Sequence, residues 1–172
     1  GANAGTLNTD TTFTAITNLT GGSSTDTLTG RNVANAWSIT GANAVTLDGM
    51  AATSMNALVG NAGADTFTLG AAVTTFSGSI AGGGDTDTLA AGNVSNAWVS
   101  TGTNAGTLNT STSFSAITNL AGGTGTDTLT GQNVANAWSI TGANAVTLDG
   151  MAATSMNALV GGTGNDTFTL AT

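Results

Sequence analysis

The sequence predicts an all-β fold, a parallel β-solenoid whose chain winds into stacked coils of about 20 residues. Three observations lead to this prediction. A block that begins at Asn32 and ends at Gly60 recurs unchanged at residues 133–161, an offset of 101 residues. Pairs of Thr followed by Leu or Phe recur about every 20 residues along the chain. Turn-forming Gly, Asn and Asp separate these pairs, and the chain contains no Pro.

Two apolar ladders define the predicted coil. The first contains the apolar residue of each Thr-apolar pair, at Leu7, Leu28, Leu47, Phe67, Leu89, Leu108, Leu129, Leu148 and Phe168. The second runs between them, through Leu19, Ile39, Leu58, Ile80, Leu120, Ile140 and Leu159, with Val99 near the one missing step. Because side chains alternate across a strand, we expect the apolar residue of each pair to point inward and Thr outward. Each coil then has two short strands, and five coils make the 101-residue superrepeat.

The regular period predicts one continuous solenoid segment over residues 1–172, with superrepeat units at approximately 1–101 and 102–172, the second incomplete. Tandem immunoglobulin-like sandwiches are an alternative for a period near 100 residues. Such domains do not keep one phase through nine short strands, whereas a solenoid must, because each coil stacks on the last. Neither end shows an atypical capping coil, so we expect a window of a longer array.

The composition limits the chemistry that the chain can perform. Only 6% of the residues are charged, all nine acidic residues are Asp, and Arg31 is the only basic residue. Proton transfer at neutral pH usually relies on His, Glu or a tuned Lys or Tyr, and all four types are missing. We therefore predict that the protein is not an enzyme. The net charge of −8 predicts no nucleic-acid partner, and the lack of a long apolar run predicts no membrane insertion.

Five turns that precede a strand end in an aspartate. They read GGSSTD, GNAGAD, GGGDTD, GGTGTD and GGTGND, and they end at Asp26, Asp65, Asp87, Asp127 and Asp166. A second kind of turn, GANAG, GTNAG or GANAV, carries no acid. An Asn or Asp follows the next strand instead, at Asn8, Asp48, Asn109 and Asp149.

The acidic turns resemble the hemolysin-type calcium-binding repeat, G-G-x-G-x-D-x-U-x, of the secreted repeats-in-toxin proteins. Residues 122–130 and 161–169 match it at every defined position, and the other three turns match in part. The resemblance implies a parallel β-roll, Ca²⁺ bound by the motif Asp and by backbone carbonyls, and export by type I secretion. Arrays of that family repeat the motif every nine residues, whereas here acidic turns mostly alternate with the Gly-Ala-Asn kind.

One position favours a metal site more than the others. Asp65 and Asp87 end acidic turns in consecutive predicted coils, and Asp85 lies beside Asp87. Three carboxylates there could converge on one hard cation such as Ca²⁺. On this hypothesis, Asp85→Asn or Asp87→Asn lowers calcium affinity and Asp10→Asn does not. The alternative is that Gly and Asp serve only as turn formers, Gly for positive φ and Asp for hydrogen bonds back to the turn.

These observations predict a mechanical role. We expect a secreted, acidic solenoid at the cell surface of a bacterium, serving as stalk, filament or surface-layer material and self-associating end to end or laterally. The alternative is an ice-binding solenoid with an outward Thr ladder, which thermal hysteresis would detect. Full Thr-x-Thr triplets begin at Thr27, Thr66, Thr128 and Thr167.

Two further sets of residues are interpreted as structural. Trp37, Trp98 and Trp138 recur at the start of strands and are predicted to fill the core rather than to form a carbohydrate platform. Asn residues of the NVAN and NVSN segments are expected to stack at corners. Arg31 is replaced by Gln132 in the second superrepeat, which argues against an essential role for it.

Overall fold

The structure is a computed structural model that describes residues 5–7 and 11–171, with side chains for residues 14–171. Asn8 and Asp10 lie outside the described residues. Regular structure in the described ranges is entirely β, so they contain no helix that could cross a membrane. The 21 strands are β1 Gly5–Leu7, β2 Thr11–Phe13, β3 Asn18–Thr20, β4 Thr27–Thr29, β5 Ala36–Gly41, β6 Ala44–Leu47, β7 Met50–Thr53, β8 Ala57–Asn61, β9 Thr66–Leu69, β10 Gly78–Gly83, β11 Thr88–Ala90, β12 Ala97–Gly102, β13 Ala105–Leu108, β14 Thr112–Ser115, β15 Asn119–Ala121, β16 Thr128–Thr130, β17 Ala137–Gly142, β18 Ala145–Leu148, β19 Met151–Thr154, β20 Ala158–Val160 and β21 Thr167–Leu170.

Two large sheets enclose one apolar core, and the chain passes back and forth between them. The eleven-stranded sheet has the order β21-β17-β18-β19-β15-β11-β9-β5-β6-β7-β3, and the eight-stranded sheet has the order β20-β16-β12-β13-β14-β10-β8-β4. Strands β1 and β2 form a separate antiparallel pair. The predicted all-β solenoid is confirmed, with about five stacked coils.

The spacing of the coils differs from the prediction. Partners in the parallel ladders mostly lie about 30 residues apart in the chain. Thr27 pairs with Ala57 in this way, and Ala97 pairs with Thr128. A shorter step joins Ala57 to Ser79. The prediction of 20-residue coils with two strands each, five to a superrepeat, was therefore wrong.

Three antiparallel meanders account for the longer coils. Strands β5–β6–β7, β12–β13–β14 and β17–β18–β19 each fold back twice within one sheet. In each meander the first turn is the Gly-Ala-Asn kind, so that turn is a hairpin tip and not a link between sheets. The apolar residues that follow it therefore lie beside the preceding strand instead of starting a new coil.

The second turn is fixed by its residue types in the first and third meanders. Asp48 and Gly49 have φ values of 47° and 90°, and Asp149 and Gly150 have 48° and 91°. Two successive residues with positive φ make a type I′ turn, whose twist matches that of the two strands it joins. Asp-Gly between apolar residues is a strong hairpin signal, and it marks these two reversals in the sequence itself.

The two predicted apolar ladders are each divided between the sheets. Leu28 lies in the eight-stranded sheet, whereas Phe67 of the same predicted ladder lies in the eleven-stranded sheet. The inward direction of these residues is confirmed, since both are buried and the flanking Thr are exposed. The Thr-x-Thr strands are divided likewise: β4 and β16 lie in one sheet, β9 and β21 in the other, and no two are adjacent. A single Thr ladder on consecutive rungs was therefore a wrong expectation.

The tryptophans lie in the core, as predicted. Trp37, Trp98 and Trp138 are each at most 1% exposed. Trp37 stacks on Phe67 with ring centroids 5.1 Å apart, where their strands β5 and β9 pair in parallel. Stacked aromatic pairs on neighbouring strands contribute beyond the burial of their area. They help to hold one coil on the next.

Candidate functional site: the acidic turns

The acidic turns connect the two sheets and stack at two opposite corners of the solenoid. At the first corner, the chain leads from the eight-stranded to the eleven-stranded sheet through the turns 30–35, 60–65, 82–87, 131–136 and 161–166. At the second corner it returns, through the turns 21–26, 91–96 and 122–127 and through short links that contain Asn56 and Asn157. Most acidic turns therefore stack on an Asn-Val-x-Asn or Ser-Met-Asn segment, whereas the turns 60–65 and 82–87 stack on each other. The expectation that acidic turns face Gly-Ala-Asn turns was wrong.

At most of these contacts a side-chain oxygen of Asp or Asn joins one coil to its neighbour, whereas the backbone carbonyl of Asp87 accepts from Thr118 and Asn119 of the next coil. Asp65 illustrates the side-chain contact, which we call a staple: its Oδ1 accepts hydrogen bonds from the backbone N–H of Asn35 at 2.8 Å and from Asn35 Nδ2 at 2.6 Å. The same Asn35 amide also donates to the carbonyl oxygens of its own turn, Arg31 at 2.9 Å and Val33 at 2.7 Å. The staple thus holds the shape of one turn and fixes the adjacent coil to it.

The staples continue from coil to coil. The backbone N–H of Asp65 donates to Asp87 Oδ1 at 2.8 Å, so that Asn35, Asp65 and Asp87 form one row at the first corner. At the second corner Asn96, Asp127 and Asn157 form a matching row, with N–H to Oδ1 distances of 3.1 and 2.8 Å. Asp26 donates its backbone N–H to Asn56, and Asn136 donates to Asp166, in the same way. Asp and Asn are therefore interchangeable as acceptors in a staple.

In four of the acidic turns, one carboxylate oxygen of the terminal aspartate is buried without a hydrogen-bond donor. This holds for Oδ2 of Asp26, Asp65, Asp87 and Asp127. Each of these oxygens lies against the α-carbon of the glycine that opens its own turn, as Asp127 Oδ2 does at Gly122. A Cβ added to Gly122 would lie 2.8 Å from that oxygen and 2.6 Å from the carbonyl oxygen of Ser155. A Cα–H group is the only contact small enough for this space.

This close approach explains the first glycine of the acidic turns. Gly60, Gly82 and Gly122 have φ outside the left-handed region, so backbone conformation does not require glycine there. Lack of space requires it, because the carboxylate and a carbonyl of the adjacent coil meet at its α-carbon. The expectation that these glycines serve for positive φ applies instead to the next residue of some turns, such as Gly83 at 108°.

The arrangement does not fit the calcium site that the repeats-in-toxin resemblance implies. Asp65 and Asp87 do lie in adjacent coils, but their Oδ1 atoms accept backbone N–H groups and their Oδ2 atoms pack against glycine. Asp85 is exposed, and its Oδ2 accepts the N–H of Gly63 at 3.0 Å. Within the described residues, no three acidic, His or Cys side chains are placed to hold a metal ion. Calcium binding at Asp26, Asp65, Asp85, Asp87, Asp127 and Asp166 stays a prediction from sequence.

The fold changes the ionisation of Asp87. Burial raises the pKa of its carboxyl above the ordinary value, the hydrogen bond from the Asp65 backbone lowers it in part, and the negative charges of Asp65 and Asp85 raise it further. A raised pKa in the folded state means that the stabilising contribution is complete below the ordinary pKa of about 3.9 and is lost as pH rises through the folded-state pKa.

We predict that Asp87→Asn raises the free energy of unfolding at pH 7, because the amide oxygen keeps the staple to Asp65 and the buried charge is removed. The gain should vanish at pH 3, where the carboxyl of the unmodified protein is protonated. Urea unfolding at the two pH values measures it. A variant that is less stable than the parent at pH 7 would contradict the prediction.

Asn35, Asn96 and Asn136 lie at the corners, as the sequence predicts, but each bonds to an aspartate 30 or 31 residues away and not to another asparagine. The sequence pattern does not predict the ion pair between Arg31 and Asp48, which are 2.7 Å apart. Arg31 is half exposed, so this pair contributes little to stability.

Comparisons of the chain with protein-family models, with curated proteins and with solved structures found no match.

Proposed function

We propose that this chain is a mechanical segment, a stiff spacer in the stalk, filament or surface layer of a secreted bacterial surface protein. The observation that carries the proposal is the continuity of the two sheets. The larger one passes through eleven strands, and ten intervals of about 4.8 Å give a length of about 48 Å. Staples at both corners couple the coils along this length.

Other properties of the described residues are consistent with such a role. The acidic side chains that lie inside the solenoid serve as acceptors for backbone N–H groups of the neighbouring coil. The core is one cluster that extends from coil to coil, so bending the rod would separate packed side chains. Thr-x-Thr triplets are spread over two sheets, and that placement does not favour the ice-binding alternative, which needs one flat face.

The proposal is tested by pulling the chain from its two ends in single-molecule force measurements. A spacer should keep its folded length until a defined force is reached, because many hydrogen bonds and core contacts must break in each unfolding step. Gradual extension beginning at the lowest forces would contradict a mechanical role. Gly84→Ala provides a control for the effect of substitution itself, because the added Cβ would meet no atom of a residue beyond its chain neighbours within 4 Å.

The likeness of two acidic turns to the repeats-in-toxin nonapeptide supports a secreted protein, but Oδ1 of Asp127 and of Asp166 already accepts staple hydrogen bonds, and Oδ2 of each packs against a glycine. We therefore predict that excess chelator leaves the thermal unfolding temperature unchanged, as measured by far-UV circular dichroism with and without Ca²⁺. A large decrease in chelator would show that calcium binds and that the turns rearrange around it.

A further inference from the structure

One end of the solenoid presents an apolar surface made by β20, β21 and the groove beside them. Val160, Phe168 and Leu170 are 45%, 48% and 74% exposed. Strands β20 and β21 are the last strands of the eight-stranded and eleven-stranded sheets, and among the described residues no further strand pairs with them. Exposed apolar groups on open sheet edges are typical of surfaces that receive another strand.

The 101-residue repeat shows what covers the equivalent surface within this same chain. Phe67 and Leu69 occupy the positions of Phe168 and Leu170 and are 0% and 2% exposed. The difference arises because β10 pairs with β8 and β11 pairs with β9, whereas β20 and β21 lack such neighbours in the described part of the chain. Leu89 of β11 lies directly opposite Phe67 in this pairing.

A groove lies next to the open edge, and the equivalent position in the first superrepeat is filled. The groove encloses a volume of about 180 Å³, and it is lined by Ile140, Gly142, Asn144, Ala145, Val146, Met156, Asn157 and Leu159. In the first superrepeat the equivalent position is crossed by residues 76–79. The N–H of Ser77 donates to the carbonyl of Ala42, and the N–H of Ser79 donates to that of Asn56 at 3.0 Å. Phe76, at the start of this segment, is fully buried.

Polar groups at the end surface also have equivalents in the first superrepeat, where they are hydrogen-bonded. Asn43 Nδ2 donates to the carbonyl of Ser77 at 3.0 Å, and Asn144 is the equivalent amide in the open groove. The N–H of Asp65 donates to Asp87 Oδ1 in a staple, and Asp166 is the equivalent donor at the open end. A segment that fills this surface must therefore supply an aromatic residue, a strand and an acidic turn in that order.

We infer that the end surface formed by β20, β21 and the adjacent groove is a docking site for a β-coil with the chemistry of residues 71–92, supplied by a further repeat unit of this type. The inference rests on the proposed mechanical function and adds to it the partner of this surface. An aromatic side chain in place of Phe76 fills the groove. A strand like β10 then extends the smaller sheet, a Gly-Gly-Gly-Asp-Thr-Asp turn staples to Asp166, and a Thr-Leu strand covers Phe168.

The test uses a fluorescently labelled synthetic peptide of residues 71–92 added to the chain, with binding followed by anisotropy. We expect saturable one-to-one binding, at least ten-fold weaker for a peptide with Phe76→Ala and for the chain with Leu170→Asp. Binding that is equally tight with the altered peptide, or insensitive to Leu170→Asp, would overturn the inference. Self-association of the chain through this end, seen by analytical ultracentrifugation, would also overturn the inference. The end surface would then bind a second copy of the chain and not a coil like residues 71–92.

A second measurement keeps the test decisive if the free peptide does not bind because ordering it costs too much entropy. Residues 72–92 are joined directly after Thr172, and the same extension is made with Phe76→Ala. We expect the unaltered extension to raise the unfolding temperature by several degrees and the altered one to lose most of that gain. If neither the peptide nor the extension has an effect, the docking inference fails, while the force measurement still decides the mechanical function separately.

Discussion

Replacing Gly82 with alanine is expected to lower the free energy of unfolding by about 3 kcal/mol. The added methyl group would overlap the carbonyl oxygen of Ala116 and Asp87 Oδ2. Neither neighbour can move freely, because Asp87 is fully buried and its Oδ1 holds the backbone N–H of Asp65. The new atom therefore strains two adjacent coils at once, and urea unfolding followed by circular dichroism measures the loss.

Gly84→Ala is the matched control in the same turn. No atom lies within 4 Å of a methyl group at that position, and its φ is outside the left-handed region. We expect stability equal to the parent or up to about 1 kcal/mol higher, since alanine reduces the freedom of the unfolded chain. Equal destabilisation by Gly82→Ala and Gly84→Ala would show that the close approach of carboxylate and glycine does not determine stability.

Replacing Asp65 with alanine is expected to cost about 3 kcal/mol or more. The change removes the acceptor for both the backbone N–H and the side-chain amide of Asn35, which is itself 4% exposed. A buried donor left without a partner loses its hydration without compensation. The turn at residues 30–35 should loosen as well, and faster hydrogen exchange at Asn35 would report it.

Asp65→Asn separates the acceptor role from the role of charge. The amide oxygen can still receive the N–H of Asn35, as Asn56 and Asn157 receive equivalent groups elsewhere. We expect a loss about 1–2 kcal/mol smaller than that of the alanine variant, the same in Ca²⁺ and in chelator. Equal losses from the two variants, present only in Ca²⁺, would mean that the carboxylate binds a metal and that the staple is secondary.

The solenoid itself could be predicted because repetition and strand alternation are local properties. A 101-residue repeat with short periodic strands predicts stacked coils, and alternation places Phe67 and Trp37 inside. Both are buried in the structure. These inferences need only the spacing of residue types along the chain.

The coil length and the staples could not be predicted in the same way, because they depend on which turn reverses the chain within a sheet. The Gly-Ala-Asn turns and the acidic turns have similar compositions. The Gly-Ala-Asn turns form hairpins within one sheet, whereas the acidic turns connect the two sheets. In the first superrepeat, only Asp48-Gly49 distinguishes the meander locally. When the meander is not recognised, the Gly-Ala-Asn turn is placed beside the turn of Asp65, where the structure has the segment that ends at Asn35; the other neighbour, the turn of Asp87, is placed correctly.

The backward path of the meanders has a consequence for how the rod comes apart. In the larger sheet β19 lies between β15 and β18, and β17, which precedes it in the chain, lies farther toward the end. A chain released from the end of the described residues loses β21 and then β20, but β19 cannot leave without breaking pairs on both of its sides. Unfolding from this end therefore proceeds in steps of one three-stranded meander, and fraying stops at the next meander.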